Sequence, residues 1–398
     1  MLWDMDRSLV LAGGTVYPSP DDEPIRDAVV LVERGVIAAV GSRQSVTIPP
    51  DALRIECSGR AITAGFWNGH VHFFERKWAN AAELPAPELA RQLEGMLTGF
   101  GFTSVFDTGS EWRNTSAIRQ RIESGETPGP RIRSTGAGIV PPGALPPDLV
   151  LHMMGAMKFD APEAADGPQA ADAARRLLDA GVDGIKLFAS SPRSPALPQS
   201  AFEAAAAEAH RAGKPVFVHP NSGADVLTAV RGGAEIVAHT TPHSGAWSEE
   251  ILSEMEARRV ALTPTLTLWR YYARHDRLSF QEQVVETELG QLRAWIERGG
   301  EVLFGTDLGA VEYDPTEEYL LMSAAGMSFR QILASLTTAP AARFGDAARL
   351  GRVGPGFDAD LVVLGGDPAA DICALASVEL TIRSGQQVYP LAGPSAGC

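Results

Sequence analysis

Cysteine is scarce in this chain. Only Cys57, Cys373 and Cys398 occur among 398 residues, far apart and odd in number. Neither a disulfide framework nor a Cys-x-x-Cys metal site can be built from them, a usage that fits a reducing compartment. Long apolar runs are missing as well. No stretch of about 18 apolar residues occurs, and the start MLWDMDRSLVLAGGTV lacks a basic segment leading into an apolar one. Neither a membrane span nor a secretory leader is expected, and the compartment read from the sequence is the cytoplasm. Positive charge is in deficit: 34 Lys and Arg stand against 49 Asp and Glu, a formal net charge of −15. Such a surface repels phosphate backbones and argues against nucleic-acid partners. The partner expected is a small-molecule substrate, with a homo-oligomer left open. A glycine-rich phosphate turn, a GxxxxGK loop, a GxSxG elbow and an internal repeat are all absent.

What is present is ordinary in bulk, with 45% hydrophobic and 21% charged residues. Disorder, collagen and coiled coil are excluded as the main description. The first 60 residues read as short strands at 9–11, 15–17, 28–33 and 36–40, with turns at Gly13-Gly14, Pro18–Pro20 and Gly35. The last 50 repeat the style, with strands at 359–364 and 378–383. Each β-rich end is too small for its own core. Residues 1–62 and 346–398 are therefore expected to form one discontinuous β-sandwich domain.

Residues 63–345 alternate strand and helix instead. Eight apolar runs end at His70-Val71-His72, Asp107, Ser134, Phe188, His219, His239, Thr263 and Thr306-Asp307. Helical stretches at 169–180, 200–212, 223–230, 248–258 and 280–298 separate most of them, Ser200 and Glu203 suggesting a capping box. Eight right-handed βα units close naturally into a (β/α)8, TIM-like barrel, so the fold class expected is α/β.

Side chains alternate along a strand, so His70 and His72 share a face and can converge on one ion. His219, His239 and Asp307 each end a different strand, and in a barrel all strand C-termini open onto one mouth. Four histidines and an aspartate in one mouth are costly unless something binds them. Lys186 ends the fourth strand. A lysine among cations in a low dielectric has a depressed pKa, and its neutral amine can capture carbon dioxide. The carbamate would bridge two metals; an ordinary lysine paired with an acid is the alternative.

With these residues in place, the sequence resembles the amidohydrolase superfamily, in its imidazolonepropionase-like and Xaa-Pro dipeptidase-like branch. The similarity runs over essentially the whole chain. It is carried by AGGTVYP near the start, Thr63-Ala64-Gly65-Phe66 leading into His70-Val71-His72, the later ligands, and GRVGPGFDADLVV at 351–363. The resemblance implies two divalent ions, zinc first, with a single ion left open. His70, His72 and Asp307 would hold the more buried ion and His219 and His239 the second, a carboxylated Lys186 lying between them. Three neighbours depart from the family pattern: Asn68 replaces an aspartate, and His219-Pro220-Asn221 and Ala238-His239-Thr240 replace other sequences.

Two ions, a carbamate, Asp307 and a hydroxide leave about one positive charge, which suits a clamp on a carbonyl oxygen. Asp307 would carry the proton to a leaving nitrogen, and His239 would serve beside it. The activity implied is hydrolysis of a C–N bond in a small amide, dipeptide-like or cyclic amide substrate by a metal-activated hydroxide. Lactone or ester hydrolysis, deamination and a metal-free scaffold are the alternatives. For the substrate, His243 could polarise a carbonyl, Trp269 and Tyr271 could stack a ring, and Arg270 could hold a carboxylate. The segment 139–160, with four prolines, three methionines and His152, reads as a lid.

Overall fold

The computed structural model describes residues 7–144, 156–157, 160–190 and 195–391. Both ends of the chain supply one sheet. Its strands are β1 (Leu9–Val16), β2 (Ile25–Glu33), β3 (Val36–Ser42), β4 (Leu53–Glu56), β5 (Ala61–Ala64), β14 (Leu361–Leu364), β15 (Val378–Arg383) and β16 (Gln386–Tyr389). They run in the order β16-β15-β14-β5-β1-β2-β3. Where a sandwich of two sheets is expected, all eight strands belong to one sheet, which forks at β1. Leu9–Ala12 pair with β4, while Thr15 and Val16 pair with β5. Alternation explains why β1 is apolar throughout. Leu9 and Leu11 pack into one cluster and Val10 and Ala12 into another, so both faces are covered.

Two local expectations fail for identifiable reasons. Gly13-Gly14 is not a turn but an irregularity within β1, where the register with β2 shifts on either side of Gly14. Gly13 takes φ 90°, and a Cβ there would lie 2.2 Å from Glu56 Oε1, so glycine permits the bulge. The Ser200–Glu203 capping box does not form either. That helix, Gln199–Arg211, is preceded by Pro198 and has no side-chain cap. Capping boxes occur instead at Ser222–Asp225 and Ser328–Gln331.

A strand forms at or beside each of the eight expected runs, with parallel pairings. The last three are two residues long and stop before His239, Thr263 and Asp307, the eighth lying just before its expected run. β6 (Phe66–Val71), β7 (Phe102–Asp107) and β8 (Arg131–Ser134) make one sheet. β9 (Ile185–Phe188), β10 (Val216–His219), β11 (Ile236–Val237), β12 (Ala261–Leu262) and β13 (Glu301–Val302) make another. Backbone bonds link the sheet edges. Gly69 N–H donates to Phe304 O at 2.7 Å and Asp307 N–H to His70 O at 2.9 Å on one side. Ile139 N–H donates to Lys186 O at 2.7 Å on the other. Helices Gly167–Asp179, Gln199–Arg211, Gly223–Arg231, Glu249–Ala257 and Leu278–Glu297 lie close to their expected places.

Inward side chains from both sheets meet in one cluster: Trp67, Phe106, Phe217, Ile236, Ala261 and Leu303 gather with Phe344. The Phe106 ring lies 4.7 Å from Phe217 and 4.9 Å from Phe344. This aromatic floor fills the space below the strand C-termini, so the polar ends of the strands have a dry base.

Candidate metal centre

The site begins at the end of β6. Alternation puts Asn68, His70 and His72 on one face, and all three are buried. Asn68 fastens the strand, its Oδ1 accepting from His70 N–H at 3.2 Å and its Nδ2 donating to Thr306 Oγ1 at 2.8 Å. Close approach needs a small residue opposite. A Cβ on Gly305 would lie 2.8 Å from His70 Cβ and 2.3 Å from Thr263 Cγ2. Two residues on, Asp307 turns back into the mouth at φ 61°, a left-handed conformation that aspartate tolerates better than most side chains. Its Oδ1 lies 3.3 Å from His70 Nε2 and 2.6 Å from His72 Nε2.

β10 and β11 bring the other two histidines. The His239 ring is 4.7 Å from that of His70, and His239 Nε2 is 3.0 Å from His219 Nδ1. One ligand atom each from His70, His239 and Asp307 fall within 4.8 Å of one another. Lys186 enters from β9, only 1% exposed, and its Nζ has no hydrogen-bond partner. The ammonium lies 5.6 Å from the Phe188 ring, which is itself 5.2 Å from His219. The six residues expected from the sequence are thus together.

The electrostatics of this cluster follow from burial. Burial, and next to it the Lys186 charge, push the His70 imidazolium down to about 3 and that of His219 to about 4. Burial and His70 hold His239 well below its ordinary value. Neutral rings offer lone pairs, not protons. Burial alone drives Lys186 down to about 7, against the opposing pull of Asp307. Of the two expected causes, neighbouring cations and a low dielectric, it is the low dielectric that lowers this lysine. Asp307 is pushed up by burial, but His72 and His70 outweigh this and keep it well below the carboxylate range.

These residues fit a divalent cation. His70 Nδ1, His72 Nδ1 and Lys186 Nζ are buried without hydrogen-bond partners, which is rare for a polar group that protein alone must satisfy. Nitrogen and carboxylate donors of this kind suit zinc and its neighbours.

The expected substrate residues fare unevenly. Trp269 stands beside the centre, 6.3 Å from the His239 ring, with its indole N–H donating to Thr240 O at 2.9 Å. His243 lies edge-on to Trp269 at 5.3 Å and stacks on Phe280 at 5.9 Å. Arg270 is ion-paired with Glu317. Tyr271 lies under Arg274, 3.6 Å from its guanidinium. His152 and most of the segment read as a lid fall outside the described residues. Tyr272, three residues after Trp269 on the same helix, is half exposed. Its phenol is pushed up to about 12 by surrounding protein and by the charge of Asp307.

Behind the site lie two carboxyls that no sequence pattern announced. Glu318 accepts from Leu266 N–H and Thr267 N–H, both at 2.9 Å, at the start of helix Leu266–Ala273. Glu288 is fully buried, and neither of its oxygens has a partner. Burial raises Glu318 to about 7, and burial with the Glu318 charge raises Glu288 well above its usual value. A carboxyl with a higher pKa folded than unfolded stabilises the fold most below its ordinary value, and that stability is lost as pH rises toward the folded value. These two carboxyls should therefore take stability away as pH rises from about 5 to 7, by about 1.4 kcal/mol for each pH unit over which the native state alone keeps a proton, against the opposite trend of the buried neutral histidines. Glu288→Gln, neutral throughout, should flatten this slope in melting temperatures measured across that range. An unchanged slope would assign the effect to other groups.

Comparison with known proteins agrees with this geometry. The sequence profile of the amidohydrolase family matches residues 61–388. The chain belongs to the amidohydrolase family. Among relatives of this amidohydrolase, ochratoxinase from Aspergillus niger is 22% identical over 93% of the chain and 83% of its own length. The adenine deaminase of Rubrobacter xylanophilus is 25% identical over 97% of the chain, which spans 58% of that protein. A Xaa-Pro dipeptidase structure superposes with a TM-score of 0.80 at 20% identity, covering 96% of this chain and 99% of that one. The branch expected from the sequence is thus the one in which the structural neighbours fall.

Proposed function

We propose that this amidohydrolase is a metal-dependent hydrolase of a C–N bond in a small amide, dipeptide-like or cyclic amide substrate. The observation that supports this reading most is the convergence of four histidines, Lys186 and Asp307 at parallel strand ends, with buried donor atoms that no protein group satisfies. The relatives named ochratoxinase and Xaa-Pro dipeptidase support a hydrolytic reaction. The strands of the two parallel sheets are read as one eight-stranded barrel, with the N- and C-terminal strands as a separate domain.

In this reading His70, His72 and Asp307 hold one ion and His219 and His239 a second. When bound, such ions polarise a carbonyl and lower the pKa of water. The chain's own residues do the rest. Asp307 accepts a proton at a carboxylate oxygen and returns it to the leaving nitrogen, since His70 and His72 keep it ionised and ready. Lys186, half neutral near pH 7, attacks carbon dioxide through its Nζ lone pair and releases one proton, giving a carbamate. That anion replaces an unpartnered ammonium with two ligand oxygens. Trp269, with Tyr272 one turn along, forms an aromatic wall for the substrate, and His243 lies at its outer end.

Elemental analysis should find close to two zinc or similar ions per chain after supplementation, with hydrolysis of N-acyl amino acids, dipeptides or cyclic amides abolished by chelation. Fewer than half an ion, together with no activation by zinc, manganese or cobalt, would sink the reading. Activity confined to lactones would keep the ions and change the bond.

A further inference from the structure

One contact of the centre is made by a residue outside the ligand set. Thr265 Oγ1 is hydrogen-bonded to His239 Nδ1, and both residues are buried. Thr265 sits at φ 44° and ψ 56°, a left-handed conformation that a β-branched side chain rarely adopts. The conformation persists because the next two residues are held. Leu266 N–H, Thr267 N–H and the Thr267 hydroxyl all donate to the buried Glu318 carboxylate, at 2.9, 2.9 and 3.0 Å. Backbone strain kept by its surroundings next to a functional ring is a pattern that marks positioning.

The neighbouring carbonyl bears on the proton count. A hydroxyl has one proton, and Pro264 O, 2.9 Å from Thr265 Oγ1, is placed to accept it. With the proton on that carbonyl, the oxygen accepts from His239, and the ring nitrogen facing it carries the hydrogen. A neutral imidazole has one such hydrogen, which leaves Nε2 with its lone pair. Nε2 is the atom 3.0 Å from His219 Nδ1 and directed at the other donors.

We propose that Thr265 is a positioning residue that sets the tautomer and ring orientation of His239, so that Nε2 presents its lone pair to a metal ion. The inference rests on His239 being a metal ligand. Groups behind ligating histidines typically change metal affinity 10- to 100-fold when removed.

The test uses full-length protein labelled with 15N-histidine. Long-range 1H–15N spectra of the metal-free wild type should show His239 with its hydrogen on Nδ1. Thr265→Val should shift that population toward Nε2–H and weaken zinc binding 10- to 100-fold by chelator competition. Thr265→Ser, which keeps the hydroxyl, should retain the wild-type tautomer and stay within threefold in affinity. Wild-type His239 protonated on Nε2 would overturn the proposal. So would a folded Thr265→Val with wild-type affinity, or a serine variant as weak as the valine one. If Thr265→Val does not fold, the wild-type spectrum and the serine variant decide. Should wild type bind no zinc, the reading of the centre fails, while the tautomer still tests Thr265.

Discussion

Asp307→Asn should lower kcat by about 10²- to 10⁴-fold at saturating metal, or about 3–5 kcal/mol of barrier. Asparagine keeps the size and one oxygen ligand but cannot accept and return a proton. It also keeps the backbone option, because asparagine tolerates the left-handed φ of 61° that aims this side chain into the mouth. Circular dichroism should therefore be unchanged. The negative charge that faces His70 and His72 is lost, so metal affinity falls as well, and the assay has to be run with both ions bound. A rate within threefold of wild type under those conditions would remove Asp307 as proton carrier and make His243 the next residue to test.

Lys186→Ala should lose activity and most of the second ion together. The wild-type Nζ is buried and unpartnered, which leaves no structural bond for alanine to break. Relief of the buried amine should offset part of the cost of the cavity that the deleted stem leaves. Short carboxylic acids supplied with zinc should restore part of both losses, since a small carboxylate can occupy the vacated space and provide the bridging oxygens. A variant with full metal content and near-normal rate would show that Lys186 only fills volume between Phe188 and its neighbours.

The central parallel strands were legible as apolar runs, and several of them lead directly into a chemically expensive residue such as His70, His219 or His239. His219, His239 and Asp307 made sense only as a group; the structure gathers His239 and Asp307 with His70, and His219 lies 3.0 Å from His239. The β-rich ends were harder to read. β1 looked like two strands with a turn because Gly13-Gly14 usually marks one, yet the neighbouring β4 and β5 turned the same pair into a bulge. At Ser200 local capping preference lost to Pro198, which already fixes the entry of that helix. Thr265 and Glu318 could not have been found at all. One lies three residues past its strand and the other about 50 residues on, and only the folded chain shows that they share a task. Arg270 looked available for a substrate carboxylate, and Glu317, one residue before Glu318, takes it.

The forked sheet has a consequence for how the protein is made. β5 leads directly into β6 and the first two histidines, but one of its edges pairs with β14, which is synthesised only after all eight central strands. Thr381 reaches back 283 positions to donate to the carbonyl of Thr98, and Arg131 reaches forward 229 to Asp360. Such contacts close last and make folding slow. Until the ribosome has released residues 361–364, β5 presents an unpaired edge, the kind of surface on which nascent chains stick to one another. Yield in the cell should then depend on chaperone supply and growth temperature more than the stability of the finished protein would suggest.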